Sequence, residues 1–335
     1  MVPLSSPAAG PPRGRYAPSP TGQIHVGNAR TALAAWLSIR AQGGAFVWRV
    51  EDLDGPRAVT GMEEAAVEDL SWLGLDWDEG PDVGGPYAPY RQSERSGCYE
   101  SALDRLFAAG RLFPCHHSRK DLLELASAPH GHDGLPPYPA TLRPAYLAPD
   151  WLAVLRACRN PDAAIRFVVH DRPVTFTDQI YGEVTERVDE TVGDFVLKRR
   201  DGLYAYQLAV VVDDLLMDVT EVVRGEDLLA STARQLQLVE ALGGTPPAYA
   251  HLPLVLNAAG EKLSKRDEAL TLRSLREHGV RPEQLCGFLA YTMGLLERPR
   301  AATAHELVER FDWDCIRPAP CLLPDDLPAR LRRVD

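Results

Sequence analysis

The stretch between residues 15 and 54 constrains the fold more than any other part of the chain. A short first strand ends near Tyr16, in a loop rich in proline and glycine. Apolar residues then recur at helical spacing, which predicts a helix with one apolar stripe. The stripe comprises Ala29, Ala32, Leu33, Trp36, Leu37 and Ile39. Gly43 and its neighbouring glycine end this helix, and residues 45–50 form an apolar run that favours a buried parallel strand. The pattern predicts the βαβ unit that opens a nucleotide-binding α/β domain.

The predicted helix start has a chemical consequence. The first turn of a helix presents unpaired N–H groups and a positive dipole end, so phosphate can bind there. His25 and Gly27 lie at this turn, where a glycine admits phosphate close to the backbone and an imidazole adds a donor. Glu51 follows the second strand and is therefore expected at the ligand-binding edge of the sheet. Taken alone, a histidine beside a glycine is more often only a helix cap.

A second polar stretch, EKLSKR at residues 261–266, holds three cations and follows an apolar run. Such a cluster is usually a solvated charge run. Together, however, the two stretches resemble the signature motifs of class I aminoacyl-tRNA synthetases. HVGN at residues 25–28 matches the HIGH motif and KLSKR matches KMSKS, although Asn28 replaces the second His and Arg266 the final Ser.

Four further segments are similar to the glutamyl branch of that class. They are APSPTG before the HIGH-like motif, RVEDLD after it, YAYQLAVVVDD from Tyr204 and VVRGEDLL from Val222. The resemblance covers residues 15–296, which is most of the chain. It implies an α/β fold with a Rossmann-type nucleotide-binding domain, an inserted α/β subdomain and a short helical C-terminal part.

The expected organisation has five segments. They are a disordered lead-in (1–13), the first half of the catalytic domain (14–110), an inserted subdomain (111–190), the second half ending in KLSKR (191–266) and a helical C-terminal part (267–335) with helices at 272–278 and 283–296. Residues 195–198 and 203–212 flank an Arg-Asp-Gly turn, which predicts a β-hairpin.

The resemblance also assigns the candidate site residues. It implies that His25, Lys262 and Lys265 are catalytic and that ATP is bound by His25, Gly27, Asn28, Lys262, Ser264 and Lys265. It implies that Arg15, Ala17, Ser19, Glu51, Tyr206 and Arg224 bind glutamate. The planar fork of an arginine takes a carboxylate bidentately, which an amide cannot match. Without the resemblance, Tyr206 could equally be a core aromatic residue and Arg224 a surface ion-pair residue.

ATP and Mg²⁺ are the implied cofactors, and no protein metal site is expected. Family members often carry zinc on a Cys-x-Cys pair, a Tyr and a later Cys, but the matching positions here read Cys115, His117, Tyr138 and Leu142. Leucine cannot ligate a metal, and structural zinc takes four donors. His130 or His132 could substitute, but nothing in the sequence fixes their geometry.

The expected partners are L-glutamate and tRNA. Only 69 residues follow Arg266 (335 − 266), too few for the helical domain with which glutamyl-tRNA synthetases read the anticodon. The chain therefore resembles the truncated paralogues that activate glutamate without tRNA and attach it to queuosine in the anticodon loop of tRNA(Asp). Cations that could hold RNA phosphates are Arg91, Arg95, Lys198, Arg199 and Arg200, although surface solvation is their default explanation.

Three alternatives stay open. One is a glutamyl-tRNA synthetase that charges the 3′ end of tRNA(Glu), and another is a ligase or nucleotidyltransferase that acts on a small molecule with the same scaffold. A catalytically silent RNA-binding relative is the third, although it would be expected to lose His25 or Lys265, and both are present.

Composition limits the cellular setting. A net charge of −11 argues against indiscriminate polyanion binding, so an RNA partner would need a local basic face. The six cysteines lack the spacing of a disulfide framework, and the N-terminus lacks the features of a signal peptide. These observations indicate a cytoplasmic enzyme, and we expect a monomer.

Overall fold

The computed structural model describes residues 10–53, 59–118, 120–122, 136–158, 162–263 and 268–335. The strands within these ranges are β1 (Arg13–Tyr16), β2 (Ala45–Trp48), β3 (Leu112–Cys115), β4 (Ala164–Phe167), β5 (Val174–Asp178), β6 (Gly182–Glu186), β7 (Phe195–Lys198), β8 (Glu221–Gly225), β9 (Ala248–Leu252), β10 (Val255–Leu256) and β11 (Cys321–Leu322). The α-helices within them are α1 (Val26–Ala41), α2 (Met62–Trp72), α3 (Ser96–Ala108), α4 (Trp151–Ala157), α5 (Val188–Thr191), α6 (Tyr206–Leu216), α7 (Leu229–Ala241), α8 (Leu272–Glu277), α9 (Pro282–Thr292), α10 (Ala304–Leu307) and α11 (Leu327–Leu331).

The predicted βαβ unit is confirmed. β1 and β2 pair in parallel, with Arg13 opposite Ala45 and Tyr16 opposite Trp48. The predicted apolar stripe of α1 is buried along its length, because the helix lies against this sheet. Gly43 follows the C-cap of α1 with φ 65°, a left-handed conformation that glycine adopts without steric cost.

Within the described part of the chain, six strands form the main sheet, in the order β2-β1-β8-β9-β5-β6. Adjacent strands of this sheet run parallel, except that β5 and β6 are antiparallel. The carboxyl ends of β2, β1, β8 and β9 therefore meet at one edge, which is where open α/β sheets bind ligands. The α/β class predicted from the sequence is confirmed.

The inserted subdomain was expected to end at residue 190, but the two sheets do not divide the chain at that point. β5 and β6, from the expected inserted subdomain, complete the main sheet, whereas β7 joins β3 and β4 in a separate antiparallel sheet. Such pairings join strands far apart in the chain, so local pattern does not reveal them. Residues 1–9 of the expected lead-in lie outside the described residues, and Arg13 already belongs to β1.

The predicted β-hairpin is wrong in its second arm. The run expected as a strand at residues 203–212 is largely the helix α6, and only an isolated bridge joins Lys198 to Tyr204. Residues 208–212 are all buried, within a core that also includes residues of α3 and α7. A short run that is apolar on every side fits a buried helix as well as a buried strand, so valine-rich sequence alone could not decide.

The C-terminal helices are confirmed at α8 and α9, and they share one hydrophobic core with α1. At Gly287 the backbone of α9 lies against the backbone of Arg300, because a Cβ at this position would lie 1.6 Å from the Arg300 carbonyl oxygen. None of the helices in the described ranges has the length and apolar character needed to span a membrane.

We expect Gly287→Ala to destabilise the protein by at least about 2 kcal/mol, because the added methyl group collides with backbone that cannot rotate away. The control is Gly97→Ala in α3, where a Cβ would meet no atom within 4 Å. There the higher helix propensity of alanine should leave stability unchanged or raised by up to about 1 kcal/mol. Urea unfolding measures both, and equal midpoints for the two variants would contradict the close approach.

Candidate active site

A cleft of about 450 Å³ opens at the carboxyl edge of the parallel strands. The predicted site residues that line it are Arg15, Ala17, Ser19, His25, Gly27, Asn28, Glu51, Tyr206, Arg224 and Lys262. These are all of the predicted site residues that the structure describes. Ser264 and Lys265, with the rest of 264–267, lie outside the described residues.

The fold explains why residues so distant in sequence meet here. Ala17 and Ser19 follow β1, Glu51 follows β2 closely, and Arg224 lies at the end of β8. These strands are parallel, so their last residues reach the same edge. Two helix starts complete the cleft, because His25 caps α1 and Tyr206 begins α6.

His25 is the N-cap of α1 and is fixed by the helix itself. Its Nδ1 accepts hydrogen bonds from the backbone N–H groups of Gly27 at 3.1 Å and Asn28 at 3.2 Å. In a neutral imidazole the proton then lies on Nε2, which makes that atom a donor. A Cβ at Gly27 would lie 3.0 Å from the imidazole Cε1, so glycine gives the ring room at the helix start. The helix cap and the phosphate-binding interpretation are therefore compatible.

Lys262 lies at the rim of the cleft. Its Nζ is 2.7 Å from Oδ2 of Asp227, and both side chains are about half exposed. An exposed pair of this kind contributes little to stability, so the lysine can exchange its partner for a phosphate at small cost.

Beneath the cleft, the Asp214 carboxylate joins two arginines. Its Oδ1 accepts from Arg49 Nη1 at 2.6 Å and from Arg15 Nε at 3.2 Å. Arg49 is fully buried, and its Nη2 donates to Glu51 Oε1 at 3.0 Å. Arg49, fixed by Asp214, therefore holds Glu51 through an ion pair, so the position of Glu51 is not set by packing alone.

The pKa values of Asp214 and Glu51 shift in opposite directions at this site. Burial alone would raise the pKa of Asp214, but the guanidinium groups of Arg15 and Arg49 keep it below its usual range. Burial raises the pKa of Glu51, against the opposing effect of Arg49 and Arg15. A ligand cation beside Glu51 would favour its charged form.

Arg224 is 5% exposed and is held by neutral groups. Its Nη1 donates to Gln235 Oε1 at 2.7 Å, its Nη2 to Thr232 Oγ1 at 2.8 Å, and its Nε to His251 Nε2 at 2.9 Å. Among the described residues, no carboxylate oxygen lies within 4.0 Å of the Arg224 guanidinium nitrogens, the distance that defines an ion pair. A buried cation without a direct counter-ion is costly, so the cleft offers a place for an anionic group.

Two buried side chains, His251 and Asp178, are hydrogen-bonded in series to Arg224. Because a guanidinium only donates, His251 Nε2 must accept, and the imidazole proton lies on Nδ1. That Nδ1 lies 2.6 Å from Asp178 Oδ2 and donates to it. Burial lowers the pKa of His251 despite its carboxylate partner, which favours the neutral imidazole that the hydrogen bond from Arg224 requires. Asp178 fixes the tautomer of His251, and His251 in turn orients Arg224.

Sequence reasoning missed five of the residues that shape the site: Arg49, Asp178, Asp214, Gln235 and His251. A signal existed for some of them. Asp214 ends an apolar run, and His251 interrupts another, so each is a polar residue inside an otherwise buried segment. Asp178 gives no local sign, because its role comes from β5 pairing with β9.

Each of the cations proposed for RNA phosphates has a partner within the protein. Arg95 is wrong as a phosphate ligand, because it is buried and its Nε lies 2.6 Å from Asp213 Oδ1. Arg91 pairs with Glu63, and Lys198 with Glu100. Arg199 pairs with Asp201 but remains half exposed at a turn, and Arg200 donates to the carbonyl oxygen of His116.

The positions that match the zinc site of the family lie in an apolar cluster. The Cys115 thiol is buried 3.6 Å from the Tyr138 hydroxyl, and Leu142 packs against the same cluster. Within the described ranges, no group of three metal-ligating side chains is present. His130 and His132 lie outside those ranges, so the expectation of no zinc stays a prediction.

Comparisons with known proteins identify the family of this chain. The family model "tRNA synthetases class I (E and Q), catalytic domain" matches residues 13–316. A glutamyl-Q tRNA(Asp) synthetase of Symbiobacterium thermophilum is 49% identical, with 95% of this chain and 98% of that protein covered. One of Nitratidesulfovibrio vulgaris is 44% identical, with 96% and 98% covered.

Among solved structures, the glutamate tRNA ligase of Elizabethkingia meningosepticum in complex with its amino acid superposes with a TM-score of 0.83. It is 30% identical, over 96% of this chain and 69% of that one. The chain therefore belongs to the class I tRNA synthetases of the glutamate and glutamine type, and within them to the family whose members are named glutamyl-Q tRNA(Asp) synthetase.

Proposed function

We propose that the protein activates L-glutamate with ATP in the absence of tRNA and transfers the glutamyl group to the queuosine base in the anticodon loop of tRNA(Asp). The names of its relatives support the acceptor. One structural observation carries the choice of amino acid, namely the buried Arg224 guanidinium that faces the cleft without a direct counter-ion among the described residues.

The γ-carboxylate of glutamate is the anion that fits Arg224. A charge-assisted bond to a buried guanidinium is about twice as strong as a neutral one. Glutamine would place an amide there and leave the cation uncompensated, which supports selection of the acid over the amide. The neutral partners Gln235 and Thr232 fix the orientation of the guanidinium without competing for its charge.

Glu51 suits the α-ammonium group of the same ligand. It lies in the cleft with Ser19 and Tyr206, and its charged form would be stabilised by a ligand cation. Arg15, fixed by Asp214, lines the floor between Glu51 and Arg224. The two ends of glutamate therefore meet opposite charges at separate points of one cleft.

Activation is an in-line displacement at phosphorus. An oxygen of the glutamate α-carboxylate attacks the α-phosphorus of ATP, the new P–O bond forms, and the bond to pyrophosphate breaks. His25 Nε2 and the start of α1 would hold the triphosphate, while Lys262 would neutralise the leaving pyrophosphate. Lys265, which lies outside the described residues, is our choice for the dominant cation, because a lysine ammonium is a compact point charge on a flexible side chain.

Mg²⁺ would accompany the nucleotide, where it neutralises phosphate charge. In such sites the ion is held chiefly by phosphate oxygens and waters, with one or two carboxylates. The carboxylate of Asp227 at the rim of the cleft fits that donor set. The proposal needs no second copy of the chain, in keeping with the monomer expected from the sequence.

We expect glutamate-dependent ATP–pyrophosphate exchange to proceed without tRNA, because the cleft holds groups for both the amino acid and the triphosphate. Glutamine and aspartate should support far less exchange, since neither brings a carboxylate to Arg224 at the right distance. Incorporation of labelled pyrophosphate into ATP measures the reaction. An absolute requirement for tRNA, or exchange with another amino acid, would contradict the proposal.

We expect Arg224→Gln to lower kcat/KM for glutamate in this exchange by roughly 100-fold or more, since loss of a buried charge partner costs about 2–5 kcal/mol. The control is Arg187→Gln, an exposed arginine paired with Asp189, which should retain activity. Equal losses in both variants, or normal glutamate use by Arg224→Gln, would remove Arg224 from the binding site.

A further inference from the structure

The peptide group between Pro253 and Leu254, here called the 253–254 peptide, is held at both ends by charged side chains. Arg30 Nη1 donates to the Pro253 carbonyl oxygen at 2.8 Å, and the Leu254 N–H donates to Glu226 Oε1 at 2.9 Å. Because a trans peptide is planar, its carbonyl and N–H groups point in opposite directions. Its dipole therefore lies between a cation and an anion, in two charge-assisted hydrogen bonds that fix its orientation.

The 253–254 peptide borders the cleft, but the two charges that hold it do not. Pro253 and Leu254 are among the lining residues, whereas Arg30 and Glu226 are not. Arg30 is 2% exposed, and among the described residues no carboxylate oxygen lies within 4.0 Å of its guanidinium nitrogens. A buried cation without a direct counter-ion is costly. Arg30 thus holds a backbone group beside the substrates without contacting them.

The 253–254 peptide leads directly into the hairpin that carries Lys262, here called the lysine hairpin (residues 255–262). β10, a strand of 2 residues, follows the peptide, and Leu256 at its end forms an antiparallel bridge with Lys262. So short a connection transmits the orientation of the peptide to the backbone of Lys262.

The lysine hairpin has a second attachment, on the other edge of β10. β11 pairs there in parallel, and the Cys321 N–H donates to the Leu254 carbonyl oxygen at 2.9 Å. Nε and Nη2 of Arg30 donate to the hydroxyl and carbonyl oxygens of Thr292, each at 3.2 Å. The C-terminal part of the chain therefore supports the base of the hairpin, a role that its local sequence does not reveal.

Arg30 also belongs to the helix that begins at the proposed phosphate site. It lies in the second turn of α1, whose N-cap is His25 and whose first turn offers N–H groups to the triphosphate. One side chain therefore joins the two parts of that site, namely the start of α1 and the lysine hairpin. A displacement of one against the other would change the gap that the phosphates must fill.

We propose that Arg30 and Glu226 are positioning residues for adenylate formation, which act through the 253–254 peptide and set the position of Lys262 relative to the start of α1. This inference rests on the proposed function, in which His25 and α1 hold the triphosphate and Lys262 neutralises the leaving pyrophosphate. A cation that stabilises charge in a transition state must be correctly placed beforehand. Misplacement by about 1 Å can lower a rate by roughly 100-fold.

Arg30→Met tests the proposal directly, because it removes every donor and keeps an unbranched apolar stem. It should lower kcat of glutamate-dependent ATP–pyrophosphate exchange by roughly 10- to 100-fold, as displacement of a stabilising charge does. KM for glutamate should be unchanged, because Arg224 and Glu51 are held by other groups. Arg30→Lys, which can still donate to the Pro253 carbonyl oxygen, should recover part of the loss in kcat.

The matched control is Arg40→Met, in the last turn of the same helix and at the opposite end from His25. Arg40 pairs with Asp76 and Asp78 and does not line the cleft. This variant should change neither kcat nor KM. An equal fall in kcat for Arg40→Met and Arg30→Met would show a general effect of altering α1 and overturn the proposal.

Glu226 provides an independent pair of variants at a half-buried position, and these decide the question if Arg30→Met does not fold. Glu226→Ala leaves the Leu254 N–H without its acceptor and should lower kcat in the same way, whereas Glu226→Gln keeps an acceptor oxygen and should lose less. Because both side chains hold one peptide, the double variant Arg30→Met/Glu226→Ala should lose less than the product of the two single losses. Single losses that multiply would overturn the shared peptide.

Normal kcat in either Arg30→Met or Glu226→Ala, or a rise in KM for glutamate with kcat unchanged, would also overturn this inference. The proposed function fails differently, since it predicts exchange in the unchanged chain. Absence of that exchange overturns both, whereas normal exchange in the unchanged chain and in these variants overturns this inference alone.

Discussion

The site depends on one carboxylate shared by two buried arginines. Asp214 joins Arg15 of β1 to Arg49, which follows β2, and Arg49 also holds Glu51. Parallel strands bring these residues to one edge, but burial of the charges is tolerable only because each is paired. Loss of one partner of such a buried pair typically costs about 3–5 kcal/mol. The ion pairs therefore fix the floor of the cleft without any contribution from a ligand.

Arg224 differs from the other two arginines because its direct partners are neutral. Asp178 reaches it only through His251, so the guanidinium is oriented while its charge stays available to a ligand. The arginines of the floor therefore have a structural role, whereas Arg224 is the one proposed to bind the substrate.

The sequence predicted the parts of the site that belong to local motifs. The βαβ unit, the helix start at His25 and the placement of Glu51 follow from periodicity and turn residues within 40 positions of each other. Tyr206 was expected in a strand and instead begins α6, because a fully buried apolar run has no preferred period. Asp178 and His251 could not be predicted together, since only the pairing of β5 with β9 brings them into contact.

The proposed function differs from that of an ordinary glutamyl-tRNA synthetase in that glutamate is attached to a base of tRNA rather than to its 3′ end. The most direct measurement is incubation of the protein with radiolabelled glutamate, ATP and total tRNA, followed by nuclease digestion and identification of the labelled nucleotide. The account predicts label on the queuosine of the tRNA(Asp) anticodon loop, and a signal that survives when the terminal ribose has been oxidised with the queuosine diol shielded. Label on the 3′-terminal adenosine of tRNA(Glu) would contradict it.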